Sequence, residues 1–301
     1  MKLDFSFLPA LKISSNEPQR LFHGRGGLQV GYEFLNLDWL CPVLLVTLYK
    51  EQPATWEKAL IEALITAAPI DMESVVLQRR YQKPAVFETV YGPEVTRFGI
   101  CEQGLYYQLD FKAGMHSGLF LDMAKARQWV QGHAEKKRVL NLFSYTCAFS
   151  VAALAGGADS VVNIDLSRVS LSRGRDSHRL NEHDLSRVTF LGHDIFKSWG
   201  KLKRMSPFDL VIIDPPSYQK GSFVLAKDYV RVVKQLTGLL AKHADVLACL
   251  NDPDQPPEYL LDLFAENCPN LRFQQRLPNP AAFVDQDEQK SLKVMHFKCI
   301  N

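Results

Sequence analysis

Residues 208–218 read FDLVIIDPPSY, in which an apolar run is followed directly by an aspartate and two prolines. The run Leu210–Ile213 is typical of a strand buried on both faces of a sheet. The two prolines fix a rigid, extended turn, so the carboxylate of Asp214 and nearby carbonyls would point into a cleft at the strand's end. Tyr218 would offer a flat face to a base. The same turn would also suit an ordinary loop, so the neighbouring strands decide its meaning.

Strand-like and helical segments alternate around this stretch. The alternation predicts a parallel, doubly wound sheet, so the fold class is α/β. The predicted strands are Arg138–Leu142, Ser160–Ile164, Arg187–Leu191, Leu210–Ile213 and Ala244–Leu250, followed by Leu271–Gln275 and Leu292–Lys298. The predicted helices are Ala148–Ala155, Arg168–Asn181, Ile195–Leu202 and Val224–Leu240.

The first part of the chain has a different pattern of strand-like and helical segments. Its strand-like runs are interrupted by one helical pattern, Trp56–Ala67, which predicts a small mixed α+β domain, mostly antiparallel. We place this domain at residues 1–112 and the α/β domain at 113–301, because a loop of small residues begins at Ala113-Gly114. The predicted strands of the small domain are Leu28–Phe34, Val43–Tyr49, Val75–Gln78, Val95–Cys101 and Leu105–Asp110.

The residues that follow each strand of the α/β domain form the candidate site, because open α/β sheets bind ligands at the carboxyl ends of their strands. Residues 143–150, FSYTCAFS, form a turn into a helix N-terminus, which favours a carboxylate or phosphate. Asp165 would either accept both hydroxyls of a ribose or cap the helix that begins near Ser167. Asp194 would cap a helix, accept from an adenine amino group, or do both. The chain has no G-x-G-x-x-G and no P-loop motif, so nicotinamide and P-loop sites lose their best support.

The composition excludes several classes of protein. The 301 residues carry 35 Lys+Arg against 33 Asp+Glu and are 47 % hydrophobic, which excludes dominant disorder and an overall basic coat. The six cysteines include no C-x-x-C pair, so we expect reduced thiols, no metal site and no disulfide scaffold. The N-terminus lacks the pattern of a signal peptide, and no apolar run is long enough for a membrane span. We therefore expect a cytoplasmic protein.

The near-neutral net charge hides an uneven distribution. Residues 1–115 hold 11 basic and 13 acidic residues, which leaves 24 and 20 for residues 116–301, so the two parts carry −2 and +4. The stretch 165–204 alone has nine basic and five acidic residues and is a candidate RNA surface, with a solvated face as the alternative. Arg79–Lys83, RRYQK, is a second candidate. Phe22–Gly27, FHGRGG, is more typical of a turn than of a phosphate cradle.

In combination, Asn141–Thr146, Asp165, Asp194 and Asp214–Tyr218 resemble the motifs of a class I S-adenosylmethionine-dependent methyltransferase. More narrowly, they resemble the bacterial 23S ribosomal RNA methyltransferases that modify cytosine C5 or guanine N7. The loop Phe111–Asp122 matches a segment of that group, and the resemblance covers roughly residues 20–300. It implies S-adenosyl-L-methionine as cofactor, 23S ribosomal RNA as partner and a Rossmann-like seven-stranded sheet. We expect no extra N-terminal RNA-binding module, and the oligomeric state stays open.

The resemblance also implies roles for individual residues. Asp165 would bind the ribose hydroxyls, Asp194 the adenine amino group, and Phe120 would line the cofactor pocket. Asp214 and Pro215 would face the methyl group and the incoming base. The small domain would recognise the substrate, and the α/β domain would bind the cofactor and catalyse. The other predicted cofactor contacts, which include the turn for the methionine carboxylate, are Asn141, Phe143, Ser144, Tyr145, Thr146, Leu166, Ile195 and Asp214.

Two departures from the group's pattern bear on cofactor binding. Cys147 stands where the group usually has glycine, and a cysteine would be strained if this backbone needs a positive φ. After Asp122 the group often has Gln-Arg, which Met123-Ala124 replaces here, although Arg127 remains.

A third departure concerns the chemistry. Carbon methylation of cytosine needs a thiolate that attacks C6. In the cytosine branch of the group, the nucleophilic cysteine stands just past the fifth strand, and Asn251 occupies the aligned position here. Cys249 lies two residues earlier on the same face of its strand, and it is equally typical of an inert buried thiol. Asn251 resembles the guanine-N7 branch, where positioning and a lone pair suffice, so transfer to a ring nitrogen is favoured. The competing hypotheses are a protein or small-molecule acceptor, and cofactor binding without catalysis. The candidate catalytic residues are Asp214, Pro215, Tyr218, Asn251 and Cys249.

Overall fold

The computed structural model describes residues 16–67, 71–112, 115–219 and 223–300. The chain divides into two compact units, of which the first extends to Leu121 and includes the later segment Ala281–Gln286. The second unit comprises Asp122–Pro280 and Asp287–Asn301. The predicted boundary stays a prediction, because Ala113 and Gly114 lie outside the described residues, as does the N-terminus through residue 15.

The first unit combines a mixed sheet with one crossover helix. Its strands are β1 Gln19–His23, β2 Leu35–Leu40, β3 Val43–Leu48, β4 Ser74–Arg79, β5 Phe87–Tyr91, β6 Arg97–Glu102 and β7 Leu105–Asp110. Strands β1 to β5 form one sheet in chain order, and β6 pairs with β7. The helix α1, Ala54–Ala67, connects the parallel strands β3 and β4. It buries Trp56, Leu60 and Leu64, whose spacing of four residues places them on one face.

The second unit contains the predicted seven-stranded sheet. Its helices are α2 Ala124–His133, α3 Ala148–Ala155, α4 Arg168–Leu180, α5 Trp199–Met205, α6 Leu225–Leu236 and α7 Glu258–Asn267. Its strands are β8 Arg138–Leu142, β9 Ser160–Asp165, β10 Val188–Gly192, β11 Phe208–Ile213, β14 Leu240–Leu250, β15 Leu271–Leu277 and β16 Lys293–Cys299, with β12 Tyr218–Gln219 and β13 Phe223–Val224 as a short hairpin. The sheet order is β10-β9-β8-β11-β14-β16-β15, and β16 runs antiparallel to both of its neighbours.

The core explains why the central strands are so apolar. Leu210–Ile213 of β11 is fully buried between parallel neighbours, with β8 on one side and β14 on the other. Because the strands β8 to β11 and β14 are parallel, their carboxyl ends meet at one edge of the sheet. The fold therefore brings the turns after these strands together.

The fold confirms the α/β prediction and corrects several elements. β8 and α3 have the predicted bounds, but Leu28–Phe34 is not a strand. Its apolar residues Leu28 and Val30 are 56 % and 87 % exposed, so they belong to a surface turn that precedes β2. The strands β1, β2 and β5 and the helices α2 and α7 were not predicted, and α6 ends at Leu236, before β14 begins. No helix in the described ranges is long and apolar enough to cross a membrane.

Candidate active site

The turn between β8 and α3 has an unusual backbone. Phe143, Tyr145 and Cys147 have φ values of 57°, 45° and 59°, which lie in the left-handed region that favours glycine. The Ser144 amide donates to the carbonyl of Ile164 at 3.1 Å, which ties the turn to β9. Cys147 therefore has the positive φ that would strain a cysteine at the position where the group usually has glycine. It is also the N-cap residue of α3.

Helix α4 supports this turn with two adjacent residues. A Cβ on Gly174 would lie 2.5 Å from the Cys147 sulfur and 3.0 Å from the carbonyl oxygen of Thr146, so only glycine lets the helix approach. The guanidinium carbon of Arg173 lies 5.4 Å from the ring centroid of Tyr145, and this side chain is 4 % exposed. Its Nε and Nη1 atoms have no hydrogen-bond partner among the described residues. The cysteine is thus accommodated by a matching glycine.

Asp165 anchors the same turn. Its two carboxylate oxygens accept from the amides of Tyr145, at 2.8 Å, and Ser167, at 2.7 Å. Burial raises the pKa of Asp165, while these two hydrogen bonds lower it. The N-cap of α4 is Ser167, which accepts from the Ser170 amide at 3.1 Å, so the prediction of Asp165 as that cap was wrong. Each oxygen retains an acceptor site, which fits a ribose diol.

Asp194 has one of its two predicted roles. It accepts from the amide of Phe196 at 2.9 Å and so caps a short helical turn, Ile195–Lys197. The side chain of Ile195 is 4 % exposed and belongs to the core, whereas Leu166 is 49 % exposed. Phe120 is 38 % exposed and belongs to the first unit. The adenine contact of Asp194 stays a prediction.

Asn141 begins a chain of buried hydrogen bonds rather than standing in a cleft. Its Nδ2 donates to Asn163 at 2.9 Å, and Asn163 donates to the Ser150 hydroxyl at 2.9 Å. That hydroxyl lies 2.8 Å from the Nε2 of His178, and burial lowers the pKa of this histidine to about 3. The Oδ1 atom of Asn141 has no hydrogen-bond partner among the described residues. Sequence reasoning missed this network, because its members are distant in the chain.

Asp214 faces a second acid. The pKa of Asp214 is raised to about 7, mainly by burial and also by the neighbouring Asp122, while Arg127 opposes both effects. Arg127 is 3 % exposed, so a cation lies in the interior beside the two acids. The Ser217 hydroxyl donates to the carbonyl of Asn251 at 2.5 Å, which links the Asp-Pro-Pro turn to the end of β14. Sequence reasoning missed Asp122 as a site residue, although it lay in the segment that matched the family.

Cys249 and Asn251 differ sharply in their surroundings. Cys249 is fully buried, and burial raises the pKa of its thiol well above the ordinary value, with Asp214 and Asp122 adding to the effect. Asn251 is exposed at the end of β14. A neutral, buried thiol is a poor nucleophile, because the reactive species is the thiolate.

An aromatic cluster borders the Asp-Pro-Pro turn. Tyr218, which pairs with Val224 across the β12–β13 hairpin, is 66 % exposed. Phe223 is buried, and its ring lies 5.0 Å from that of Phe143 and 6.3 Å from that of Phe196. The hairpin therefore rests on the turn after β8 and leaves the Tyr218 ring free for a flat partner.

Four of the nine basic residues in the stretch 165–204 are occupied by contacts within their own unit. Arg173 is buried, and Arg175 lies 4.7 Å from an aromatic ring. Arg187 donates to two carbonyls in the loop before β9, and Arg179 pairs with an acid one turn away. Within the described residues, no group of three or more His, Cys, Asp or Glu side chains is arranged to hold a metal ion.

Comparisons with known proteins point to one family. A family model described as S-adenosylmethionine-dependent methyltransferase matches residues 19–298. A Bacillus subtilis protein, provisionally named ribosomal RNA large subunit methyltransferase YwbD, is 31 % identical over 242 residues, which cover 77 % of this chain and 60 % of that protein. The ribosomal RNA large subunit methyltransferase I of Aeromonas salmonicida is 40 % identical over 121 residues, which cover 40 % of this chain and 31 % of that protein. The chain thus spans 60 % or less of these two relatives.

A solved structure covers more of the chain. SMU.776, provisionally described as a methyltransferase and crystallised in complex with SAH, superposes with a TM-score of 0.85 at 25 % identity. The match covers 97 % of this chain and 81 % of that one, so both units have counterparts there.

Proposed function

Because the chain belongs to the family of S-adenosylmethionine-dependent methyltransferases, we propose that it methylates a base of large-subunit ribosomal RNA. Family membership confirms the resemblance and the cofactor predicted from the sequence. The names of the relatives from B. subtilis and A. salmonicida support ribosomal RNA as the substrate, with 23S RNA as the finer proposal. Such a substrate would place the activity in the cytoplasm.

The observation that carries the proposal is the set of carboxylates at the ends of β9, β10 and β11, beside the turn after β8. Asp165 keeps one acceptor site on each oxygen for the ribose hydroxyls, and Asp194, which accepts from the Phe196 amide, would also accept from the adenine amino group. The turn Phe143–Thr146 and the N-terminus of α3 would hold the methionine carboxylate. When bound, S-adenosylmethionine supplies a methyl group on a sulfonium sulfur.

The residues of the transfer site position the acceptor base. Asp214, with a pKa of about 7, is able to donate to a base oxygen when protonated and to accept from an amino group when ionised. Pro215 holds the backbone of this turn extended, and the exposed ring of Tyr218 offers a stacking face. A ring-nitrogen lone pair would then form the new N–C bond directly, with no covalent bond to the protein.

Transfer to a ring nitrogen is the preferred reaction because Cys249, whose thiol feels the charge of Asp214, is poorly suited to nucleophilic attack. Its burial and its raised pKa oppose the thiolate that carbon methylation of cytosine requires. Asn251, at the aligned nucleophile position, has no nucleophilic side chain. These observations support direct transfer to nitrogen over the covalent route.

The substrate is tested by mass spectrometry of RNA from cells that lack the gene and from complemented cells. We expect one methylated nucleoside of the large-subunit RNA to disappear in the deletion and to return on complementation. Complementation with Asp214→Asn should fail to restore it. Identical RNA spectra with and without the gene would favour a protein or small-molecule acceptor.

The reaction type is tested by Cys249→Ser. We expect methyl transfer within about threefold of the unmodified protein, because no step uses the thiol. Cofactor affinity, measured by calorimetry, serves as the control for correct folding. Loss of turnover with unchanged cofactor affinity would instead establish the covalent cytosine mechanism.

A further inference from the structure

The first unit carries two arginines on the ring of one tyrosine. The guanidinium carbons of Arg25 and Arg80 lie 4.5 Å and 5.5 Å from the ring centroid of Tyr49. The Tyr49 hydroxyl lies 3.3 Å from the side-chain amide of Asn36, which is 2 % exposed. This contact with a buried side chain holds the ring in place. We name Arg25, Tyr49 and Arg80 the Tyr49 platform.

The two arginines of the platform lack an acidic partner among the residues that the structure describes. Neither Arg25 nor Arg80 forms an ion pair with a carboxylate in the described parts of the chain. Their neighbours differ: Arg79 pairs with Glu57 at 2.7 Å and also with Glu88, so its charge is compensated within the unit. The platform therefore presents positive charge that the fold itself does not neutralise.

A glycine turn presents Arg25. Residues Gly24–Gly26 form one tight helical turn in which both glycines are buried and the arginine between them is exposed. A Cβ on Gly24 would lie 1.9 Å from the carbonyl oxygen of Tyr32, and one on Gly26 would lie 2.5 Å from that of Val284. Neither glycine position thus has room for a Cβ atom, so Arg25 carries the side chain of this turn. The backbone of the turn fixes the direction in which that side chain leaves it.

The platform is continuous with the segment before Leu121. Arg80 donates to the Met115 sulfur at 2.9 Å. Burial lowers the pKa of His116 to about 4, and the charge of Arg80 adds to this effect, so the two side chains are close. The His116 ring lies 5.1 Å from that of Phe120, the residue predicted to line the cofactor pocket. A chain of contacts within the first unit therefore connects the platform with that predicted cofactor residue.

From these contacts we propose that the Tyr49 platform binds a single-stranded segment of the RNA substrate. The guanidinium planes would stack on unpaired bases and donate to the phosphates, and the tyrosine ring holds the arginines in place, which reduces the entropy lost on binding. The partner is single-stranded rather than duplex RNA, because stacking of this kind requires bases that are not already stacked on both sides. The inference rests on the proposed function, since it names the site at which that substrate is recognised.

The test measures binding of a fluorescein-labelled oligouridine of about 12 nucleotides, within the ~4–16 nucleotides that one binding module covers. With the full chain, Arg25→Ala/Arg80→Ala should weaken binding by at least about tenfold. The slope of log affinity against log salt should become less steep by about 1.4, or ~0.7 for each lost phosphate contact. Unchanged affinity and slope in the double variant would overturn the proposal.

Matched variants separate the platform from general charge. Arg272→Ala removes one exposed arginine of the second unit and should change binding by less than about twofold. Tyr49→Phe should keep most of the affinity, whereas Tyr49→Leu should lose it, because only an aromatic ring supports the guanidinium groups. A preformed RNA duplex should show little difference between the unmodified protein and the double variant. An equal effect of Arg272→Ala would overturn the proposal.

A second readout keeps this inference distinct from the proposed function. Cofactor affinity, measured by calorimetry, should be the same in the double variant, while methylation of large-subunit RNA should fall with RNA affinity. RNA binding through the platform without methylation of any RNA in cells would support the platform and overturn the function. Full methylation by the double variant would overturn the platform and leave the function standing.

Discussion

The edge of the sheet in the second unit has two halves that treat their acids differently. In the binding half, formed by Phe143–Cys147 and Asp165–Ser167, two backbone amides donate to Asp165. In the transfer half, formed by Asp122, Arg127 and Asp214–Tyr218, burial raises the pKa of Asp214 to about 7, and the second acid, Asp122, adds to this effect. In the binding half, backbone amides stabilise the carboxylate through hydrogen bonds. In the transfer half, the acid has a pKa close to neutral pH.

This difference indicates a division of labour. An acid that accepts from fixed amides is preorganised to receive hydroxyl groups, and the two hydrogen bonds of Asp165 oppose the rise in pKa that burial causes. An acid beside a like charge changes its protonation state in response to small changes in its surroundings, which suits contact with a reacting base. Each half is open to a test that would break the contrast.

The largest effect is expected from Asp214→Asn. Removing this acid should lower methyl transfer on the order of 100-fold or more, because a preorganised contact to the reacting base is lost. Cofactor affinity should stay within about threefold, since Asp165 and the turn after β8 are untouched. Equal losses of cofactor affinity and turnover would show that Asp214 belongs to the binding half.

The second effect concerns the pH dependence of stability. The pKa of Asp214 is about 7 in the folded protein against a usual value of 3.8, so the folded state binds a proton that the unfolded state has released. Between these values the free energy of unfolding should fall as the pH rises, by roughly 4 kcal/mol in total at ~1.4 kcal/mol per pKa unit, of which about 3 kcal/mol is lost between pH 5 and pH 8. Urea unfolding at pH 5 and pH 8 measures this, and in Asp214→Asn the fall should be smaller by that amount. An unchanged pH dependence in the variant would contradict the assignment.

The third effect concerns the glycine that accommodates Cys147. Gly174→Ala should lower the free energy of unfolding by ~1–3 kcal/mol and weaken cofactor binding, because the added Cβ would meet the cysteine at 2.5 Å. Gly132→Ala in α2 is the matched control, since a Cβ there meets nothing within 4 Å, and it should be neutral or stabilising.

The pairing of the two residues is then tested by the double variant Cys147→Gly/Gly174→Ala. Removing the cysteine side chain removes two of the three close contacts, and glycine favours the φ of 59° at position 147. Stability and cofactor affinity should both recover relative to Gly174→Ala alone. Additive losses would show that the two positions are independent.

The smallest effect is expected from Asp165→Ala in the binding half. Loss of the acceptor for two ribose hydroxyls should weaken binding of S-adenosylmethionine by about tenfold in calorimetry. Asp159→Ala, which removes an exposed acid just before β9, should leave the affinity unchanged. An affinity unaffected by Asp165→Ala would remove this residue from the cofactor site.

The sequence by itself determined the elements whose signal is local. β8 and α3 were predicted with their observed bounds, and the acids at the ends of β9 and β11 were read directly after apolar runs. A strand buried on both faces leaves a continuous apolar run in the sequence, so its end is visible as the first polar residue. β5, which is only partly buried along its length, leaves no such run and was missed.

Only the tertiary structure decided which side chains meet. The facing of Asp122 and Asp214, the fit of Gly174 against Cys147 and the stacking of Arg25 and Arg80 on Tyr49 join residues that are far apart in the chain. Periodicity reports whether a residue is buried, but not which residue it is buried against, because strand order and crossovers set that proximity. The sequence therefore determined the sheet, its edge and the family, and the packing of distant segments decided the environment of each acid and the site proposed for RNA.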